Sequence, residues 1–252
     1  PMGARLFRTT STRTQIQLGG FWDFLTDPDA KGESNRYFAS FPTPETRMWI
    51  PGTWNSHARY WHYEGPAWLR RKFEVPADGR LRLYFSGVFY LSKIWLDGQY
   101  IGEHEGGYTP FSFVVDKVEK GEHEIVVFAD NRLSDETLPK HGVDWFPYGG
   151  IYRPVYAELV PDLFIDNFHV WTEHAGPQVT LRVKAFLRNR SGQPRRERIT
   201  FQINHDVLHS QKYDVSGSEP QITFSVVLQN PRLWSPDRPY LYRARLSLED
   251  SC

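Results

Sequence analysis

The chain has 252 residues, and its 30 Lys and Arg balance its 30 Asp and Glu, so the formal net charge is zero. That length suits two domains of ordinary size with a substantial core. The even balance argues against the basic excess of a nucleic-acid partner and against an acidic tail. Aromatic residues make up 15%, with 9 Trp and 13 Tyr against 2 Met, a mixture that favours β-sheet cores and carbohydrate sites over helical bundles. The single cysteine, Cys252, precludes a disulfide framework within one chain. No apolar run approaches the ~20 residues that span a bilayer, and Pro1 to Arg5 show no apolar signal segment. The sequence therefore predicts a soluble protein without membrane contact, its compartment left open. Pro1 ahead of Met2, and an end at Glu249-Asp250-Ser251-Cys252 after a strand-like run, are expected to be cut points.

Alternation with period two dominates the chain, and no long segment carries a helical period. Leu18 to Phe24 is a strand entry; Trp49-Ile50-Pro51-Gly52-Thr53-Trp54-Asn55 sets a Pro-Gly turn between two tryptophans. Trp68 to Val75, Leu81 to Phe85 and Ile125 to Ala129 read as strands. Lys93 to Leu96, then Asp97-Gly98, then Gln99 to Ile101 predicts a hairpin closed by a type I′ turn.

The texture changes at Val160-Pro161. Phe164 to Thr172 is mostly apolar, and Leu181, Val183, Ala185 and Leu187 oppose Arg182, Lys184 and Arg188. Ile199 to Ile203 and Ile222 to Leu228 alternate likewise, as do Tyr240, Tyr242, Ala244, Leu246 and Leu248 against their neighbours. Short strands about 8–12 residues or more apart, with turns rich in Asn, Gly, Pro and Ser, describe an immunoglobulin-like sandwich half exposed to water. The sequence thus predicts an all-β protein: an aromatic-rich β-sandwich over 1–160, then a plainer immunoglobulin-like β-sandwich over 161–252.

The most informative segment is Asp144-Trp145-Phe146-Pro147-Tyr148-Gly149-Gly150-Ile151-Tyr152-Arg153-Pro154-Val155. It is too irregular for plain strand or helix. Ring faces stack on the CH groups of a sugar, and a carboxylate accepts hydrogen bonds from its hydroxyls. The competing reading is a buried loop whose aromatics plug the base of a sandwich. Elsewhere the chemistry is sparse. Glu103 and Glu105 lie two apart on one strand face, where a solvated hairpin edge explains them better than acid/base work. The nine His show no metal-ligand spacing, and no glycine-rich phosphate loop is present, so neither a metal nor a nucleotide cofactor is expected.

Several motifs together resemble the N-terminal part of family 2 glycoside hydrolases. They are Pro51 to Asn55, Glu103-His104-Glu105-Gly106-Gly107-Tyr108-Thr109-Pro110-Phe111, Asp144 to Val155, Leu233-Trp234-Ser235-Pro236, and Pro239-Tyr240-Leu241-Tyr242. They occur in the family's order along nearly the whole chain. Glu103 to Phe111 and Thr137-Leu138-Pro139 are similar to β-glucuronidases, with β-galactosidases the alternative. Some galactosidases carry a substrate-touching Asn before the strand that here begins near Trp68, where this chain has Gly65-Pro66-Ala67.

The resemblance implies a jelly-roll, galactose-binding-like first domain and an immunoglobulin-like second, the latter expected to stop one strand short within these residues. It also implies a C-terminal TIM barrel that holds two catalytic glutamates of a retaining mechanism. Neither glutamate falls within these residues, so the chain alone is expected to be inactive. The resemblance further implies a carbohydrate substrate, a β-glucuronide or β-galactoside, and a homo-oligomer. The matching Asp of the family reaches into the barrel mouth and bonds a substrate hydroxyl, which carries over to Asp144. Trp145 and Tyr148 are expected to line the same site, and Arg153 to pin the loop. A stand-alone carbohydrate-binding module and a purely structural sandwich pair are the competing functions.

Overall fold

The computed structural model describes residues 13–174 and 178–249, so Cys252 and the N-terminal Pro1 to Arg5 lie outside the described residues. The chain forms two compact units, 1–160 and 161–252. Both are built from antiparallel sheets, and the helical content of the described residues is two short 3-10 turns, Trp54–Ser56 and Ala58–Tyr60. No helix among these residues is long and apolar enough to cross a membrane.

The first unit contains β1 (Gln15–Gln17), β2 (Gly20–Thr26), β3 (Thr46–Ile50), β4 (Pro66–Val75) and β5 (Gly79–Phe85). It continues with β6 (Leu91–Leu96), β7 (Gln99–Glu105), β8 (Phe111–Val118), β9 (Gly121–Asp130) and β10 (Val155–Val160). A six-stranded sheet runs in the order β3-β2-β4-β9-β6-β7, and a four-stranded sheet in the order β1-β10-β5-β8. Alternate side chains of both meet in one core, with Trp22, Phe24, Leu69, Ile125 and Val127 from the first and Leu81, Leu83, Phe85, Val155 and Ala157 from the second. The other face of the large sheet carries a second cluster, Leu25, Trp68, Trp95, Val126 and Phe128, roofed by Tyr37, Phe38 and Phe41. Trp68 donates its indole N–H to Asp27 Oδ2 at 3.0 Å, which satisfies the one polar atom of a fully buried ring. The expected hairpin joins β6 to β7, with Asp97 at φ 50° and Gly98 at φ 76°, the left-handed pair of a type I′ turn. Glu103 and Glu105 fall on β7 at the sheet edge, taken by the hydroxyls of Tyr100 and Tyr90 respectively.

The second unit contains β11 (Leu163–His174), β12 (Gln178–Asn189), β13 (Arg195–Ile203), β14 (Asp206–Val215), β15 (Gln221–Gln229) and β16 (Ala244–Glu249). Its two three-stranded sheets, β11-β12-β15 and β14-β13-β16, enclose a core of Val183, Ala185, Leu187, Ile199, Phe201 and Phe224. The alternation of β12 follows the sequence residue by residue. One expectation fails: the final strand begins at Ala244, and Tyr240 to Arg243 lie outside the ladder. Pro239 has no N–H to give a ladder, and the Tyr242 hydroxyl instead accepts the Arg232 backbone N–H at 2.7 Å.

Candidate functional site

Between β9 and β10 of the first unit the chain runs from Asn131 to Pro154 outside any strand, with a single bridge at Gly150 to Phe89. A segment this long without regular structure needs anchors for its backbone groups. Two buried asparagines supply them. Asn131, 0% exposed, donates to the Pro147 carbonyl at 2.5 Å and accepts the Gly65 N–H at 2.8 Å. Asn55, 2% exposed, accepts the Gly149 N–H at 2.9 Å and donates to the Tyr60 and Tyr63 carbonyls at 3.1 and 3.0 Å. Together they tie the segment around 147–149 to the turn at 57–65.

Glycine completes the seat. The Trp54 N–H donates to the Gly149 carbonyl at 3.1 Å, and the Trp54 indole lies where a Cβ on Gly149 would stand. Trp54 itself is buried, its indole N–H bonded to the Tyr63 carbonyl at 3.2 Å. The Tyr63 phenol is pushed up to about 12, chiefly by burial, with the nearby Asp27 and Asp130 carboxylates adding to the rise. It stays a neutral donor, bonded to the Pro66 carbonyl at 2.5 Å.

Further along, the Tyr90 hydroxyl accepts the Leu138 N–H at 3.0 Å and steadies the outer part of the loop. Arg153 donates to the Tyr108 carbonyl at 3.0 Å, and the Tyr152 hydroxyl to the Gly107 carbonyl at 2.5 Å. Arg153 is therefore the pinning residue that the sequence suggested.

On this frame Asp144 is exposed and, among the described residues, has no hydrogen-bond or ionic partner. Arg132, at the start of the same loop, is engaged by Asp130 through two parallel bonds of 3.0 and 2.6 Å. Asp144 and Trp145 line an open concavity of about 450 Å³, with Glu64, His141, Val143 and Phe146. Trp145 is 53% exposed and Tyr148 55%. Tyr148 is not in that lining; it stands edge-on to Phe146 at 5.5 Å, and Phe146 meets His62 at 6.5 Å. The three sequence-predicted residues thus stand on one loop, Asp144 and Trp145 in one hollow and Tyr148 one ring away. Among the described residues no three His, Cys, Asp or Glu side chains converge as a metal site.

Sequence reasoning missed the two asparagines and Trp61, which is 62% exposed on the adjoining turn and meets His62 edge-on at 6.2 Å. Asn55 belonged to a motif already singled out. Asn131 was signalled only as a polar residue closing the apolar run Ile125 to Ala129.

The model for glycosyl hydrolases family 2, sugar binding domain, matches residues 16–161, and that for glycosyl hydrolases family 2 matches residues 163–251. The chain is 29% identical to a beta-galactosidase of Thermoanaerobacter pseudethanolicus over 202 residues, which cover 74% of this chain and 26% of that protein. It is 26% identical to a beta-glucuronidase of Paenibacillus borealis, covering 97% of this chain and 44% of the relative. A solved GH2 beta-galacturonidase from Eisenbergiella tayi, bound to galacturonate, matches with a TM-score of 0.82 at 25% identity, over 98% of this chain and 43% of its own. The chain spans less than half the length of each of these three.

Proposed function

Because the chain belongs to family 2 of the glycosyl hydrolases, we propose that it is the non-catalytic N-terminal portion of a retaining glycosidase acting on β-glucuronides. In this reading the rest of the protein supplies a TIM barrel with two glutamates about 5–5.5 Å apart, one the nucleophile and the other the acid/base. The present residues supply part of the rim. Asp144 accepts hydrogen bonds from substrate hydroxyls, Trp145 and Tyr148 offer ring faces to the sugar, and the asparagine anchors hold the loop at a fixed height.

One observation carries the reading: a carboxylate side chain with no partner among the described residues stands in an open hollow on a loop that is otherwise tightly anchored. A carboxylate left free on a fixed backbone is ready to bind without first breaking an ion pair. Each hydroxyl bond to it contributes about 1.5–3 kcal/mol, because one partner is charged.

In the full-length protein, with a chromogenic β-glucuronide as substrate, Asp144→Ala is expected to lower kcat/KM at least tenfold while the melting temperature holds. Unchanged kinetics would refute the role of Asp144. A higher kcat/KM for the matching β-galactoside would reassign the substrate without touching the loop mechanism.

A further inference from the structure

Residues 61–65 connect the 3-10 turn Ala58–Tyr60 to β4 and leave Trp61, His62 and Glu64 exposed. Their backbone is nonetheless held at several points. The Asn55 amide donates to the carbonyls of Tyr60, Trp61 and Tyr63 at 3.1, 3.3 and 3.0 Å. The Tyr63 N–H closes the turn on the Tyr60 carbonyl at 3.0 Å, and the Gly65 N–H beyond Glu64 is taken by Asn131. Asn55 and Asn131 also anchor the Asp144 loop, so the turn and the loop share one frame.

The exposed side chains of the turn adjoin that loop. Glu64 lines the Asp144 hollow, and so does Phe146, whose ring meets His62 on one side and Tyr148 on the other. Trp61 continues the row from His62. A single exposed tryptophan is ordinary, but here a row of four rings stands on a fixed backbone at the edge of a hollow. The charge of the hollow is one-sided. Asp144 and Glu64 have no partner among the described residues, and no Lys or Arg belongs to the lining. His141, also in the lining, lies 3.4 Å from Asp135. Acceptor-only groups beside ring faces suit a ligand that brings hydroxyls and CH faces and carries no negative charge of its own there.

We propose that Trp61, His62 and Glu64 form the wall that receives the leaving group of the substrate, and that this leaving group is a neutral sugar. The inference rests on the reading of Asp144 given above and deepens it. Asp144 bonds the sugar on the near side of the scissile bond. Glu64 accepts hydroxyl hydrogen bonds from the next ring, and the faces of His62 and Trp61 cover its CH groups. An acidic second ring would be repelled by the two carboxylates, and a plain phenol would leave Glu64 without a donor to accept from. In this arrangement the carboxylate of a glucuronide points away from the hollow. Because the turn is already fixed, binding orders little backbone, which lowers the entropic cost of the contact.

The test uses the full-length protein and two substrates with the same first sugar: methyl β-glucuronide, which has no second ring, and a β-glucuronosyl-glucose disaccharide. Trp61→Ala and Glu64→Ala are each expected to lower kcat/KM for the disaccharide by about fivefold or more, and to change it for the methyl glycoside by less than about twofold. Both replace exposed side chains, so the melting temperature should hold. Equal effects on the two substrates, or none on either, would overturn the proposal. A p-nitrophenyl β-glucuronide that depends on Trp61 but not on Glu64 would overturn it in favour of an aromatic leaving group. Asp144→Ala is expected to impair both substrates; if it left the methyl glycoside unaffected, the reading of Asp144 itself would fall. Where β-galactosides prove the better substrates, methyl β-galactoside and lactose make the same comparison.

Discussion

Asn131 donates its side-chain amide to the Pro147 carbonyl at 2.5 Å, and this bond fixes the height of a loop that carries Asp144 three residues earlier. The same side chain accepts the N–H of Gly65, 66 positions earlier, so one residue ties the turn at Gly65 to the segment at Pro147. Asn131→Ala would leave a buried N–H and a buried carbonyl unpaired, each costing about 1–3 kcal/mol. The first unit should then melt roughly 5–15 °C lower, at about 2–4 °C per kcal/mol for a domain of this size. Thermal denaturation followed by far-ultraviolet circular dichroism measures it, and a shift under 2 °C would refute the anchoring role.

Gly149 and Gly142 sit on the same loop but under different constraints. A Cβ on Gly149 would overlap the Trp54 indole, whereas nothing lies within 4 Å of one on Gly142, whose φ is 84°. Gly149→Ala is therefore a steric problem that costs about 1–3 kcal/mol or more, and it should disturb the near-ultraviolet tryptophan signal. Gly142→Ala meets only the left-handed backbone penalty, about 1–2 kcal/mol, and should leave that signal alone. Equal spectral effects in the two variants would contradict this difference.

The sequence conveyed the strands with one well-buried face and hid two edge strands that lack one. Leu181, Val183, Ala185 and Leu187 announce β12 because each is buried while its neighbours face water. β14 went unread: within Asp206–Val215 only Val215 is buried, and an edge strand with one covered residue leaves no apolar period to detect. Phe111–Val118 is likewise an edge strand, its alternation blurred by half-buried neighbours. At the site, Asp144 was legible because its aromatic neighbours are contiguous in the chain. The anchors were not, since Asn55 meets Gly149 across 94 positions, and only the folded chain brings them together.

Asp144 itself should be dispensable for folding. It is exposed and has no protein partner among the described residues, so its carboxylate stabilises nothing that substitution removes. Asp144→Asn is expected to shift unfolding free energy by less than about 0.5 kcal/mol, the usual range for such surface changes. Urea titration of wild type and variant side by side measures it. A larger loss would mean that the carboxylate serves the fold, and the role given to it at the hollow would need another explanation.

His123 should make the first unit lose stability as pH rises. Its Nδ1 lies 2.6 Å from Asp97 Oδ2 and its Nε2 2.8 Å from the Glu119 carbonyl, so acceptors face both ring nitrogens. Only the imidazolium can donate to both. Burial alone would push the imidazole down, but the Asp97 and Glu119 bonds and the Asp97 charge outweigh it, and the net shift is upward from 6.5. A base whose folded pKa is raised binds its proton more tightly when folded, so its stabilisation is complete below about 6.5. That contribution fades as pH climbs from there through the raised folded value. His123→Gln keeps one donor and cannot titrate, so its melting temperature should change less than that of wild type between pH 6 and pH 9. Identical pH profiles for the two proteins would show that this imidazolium has no part in the stability of the hairpin corner.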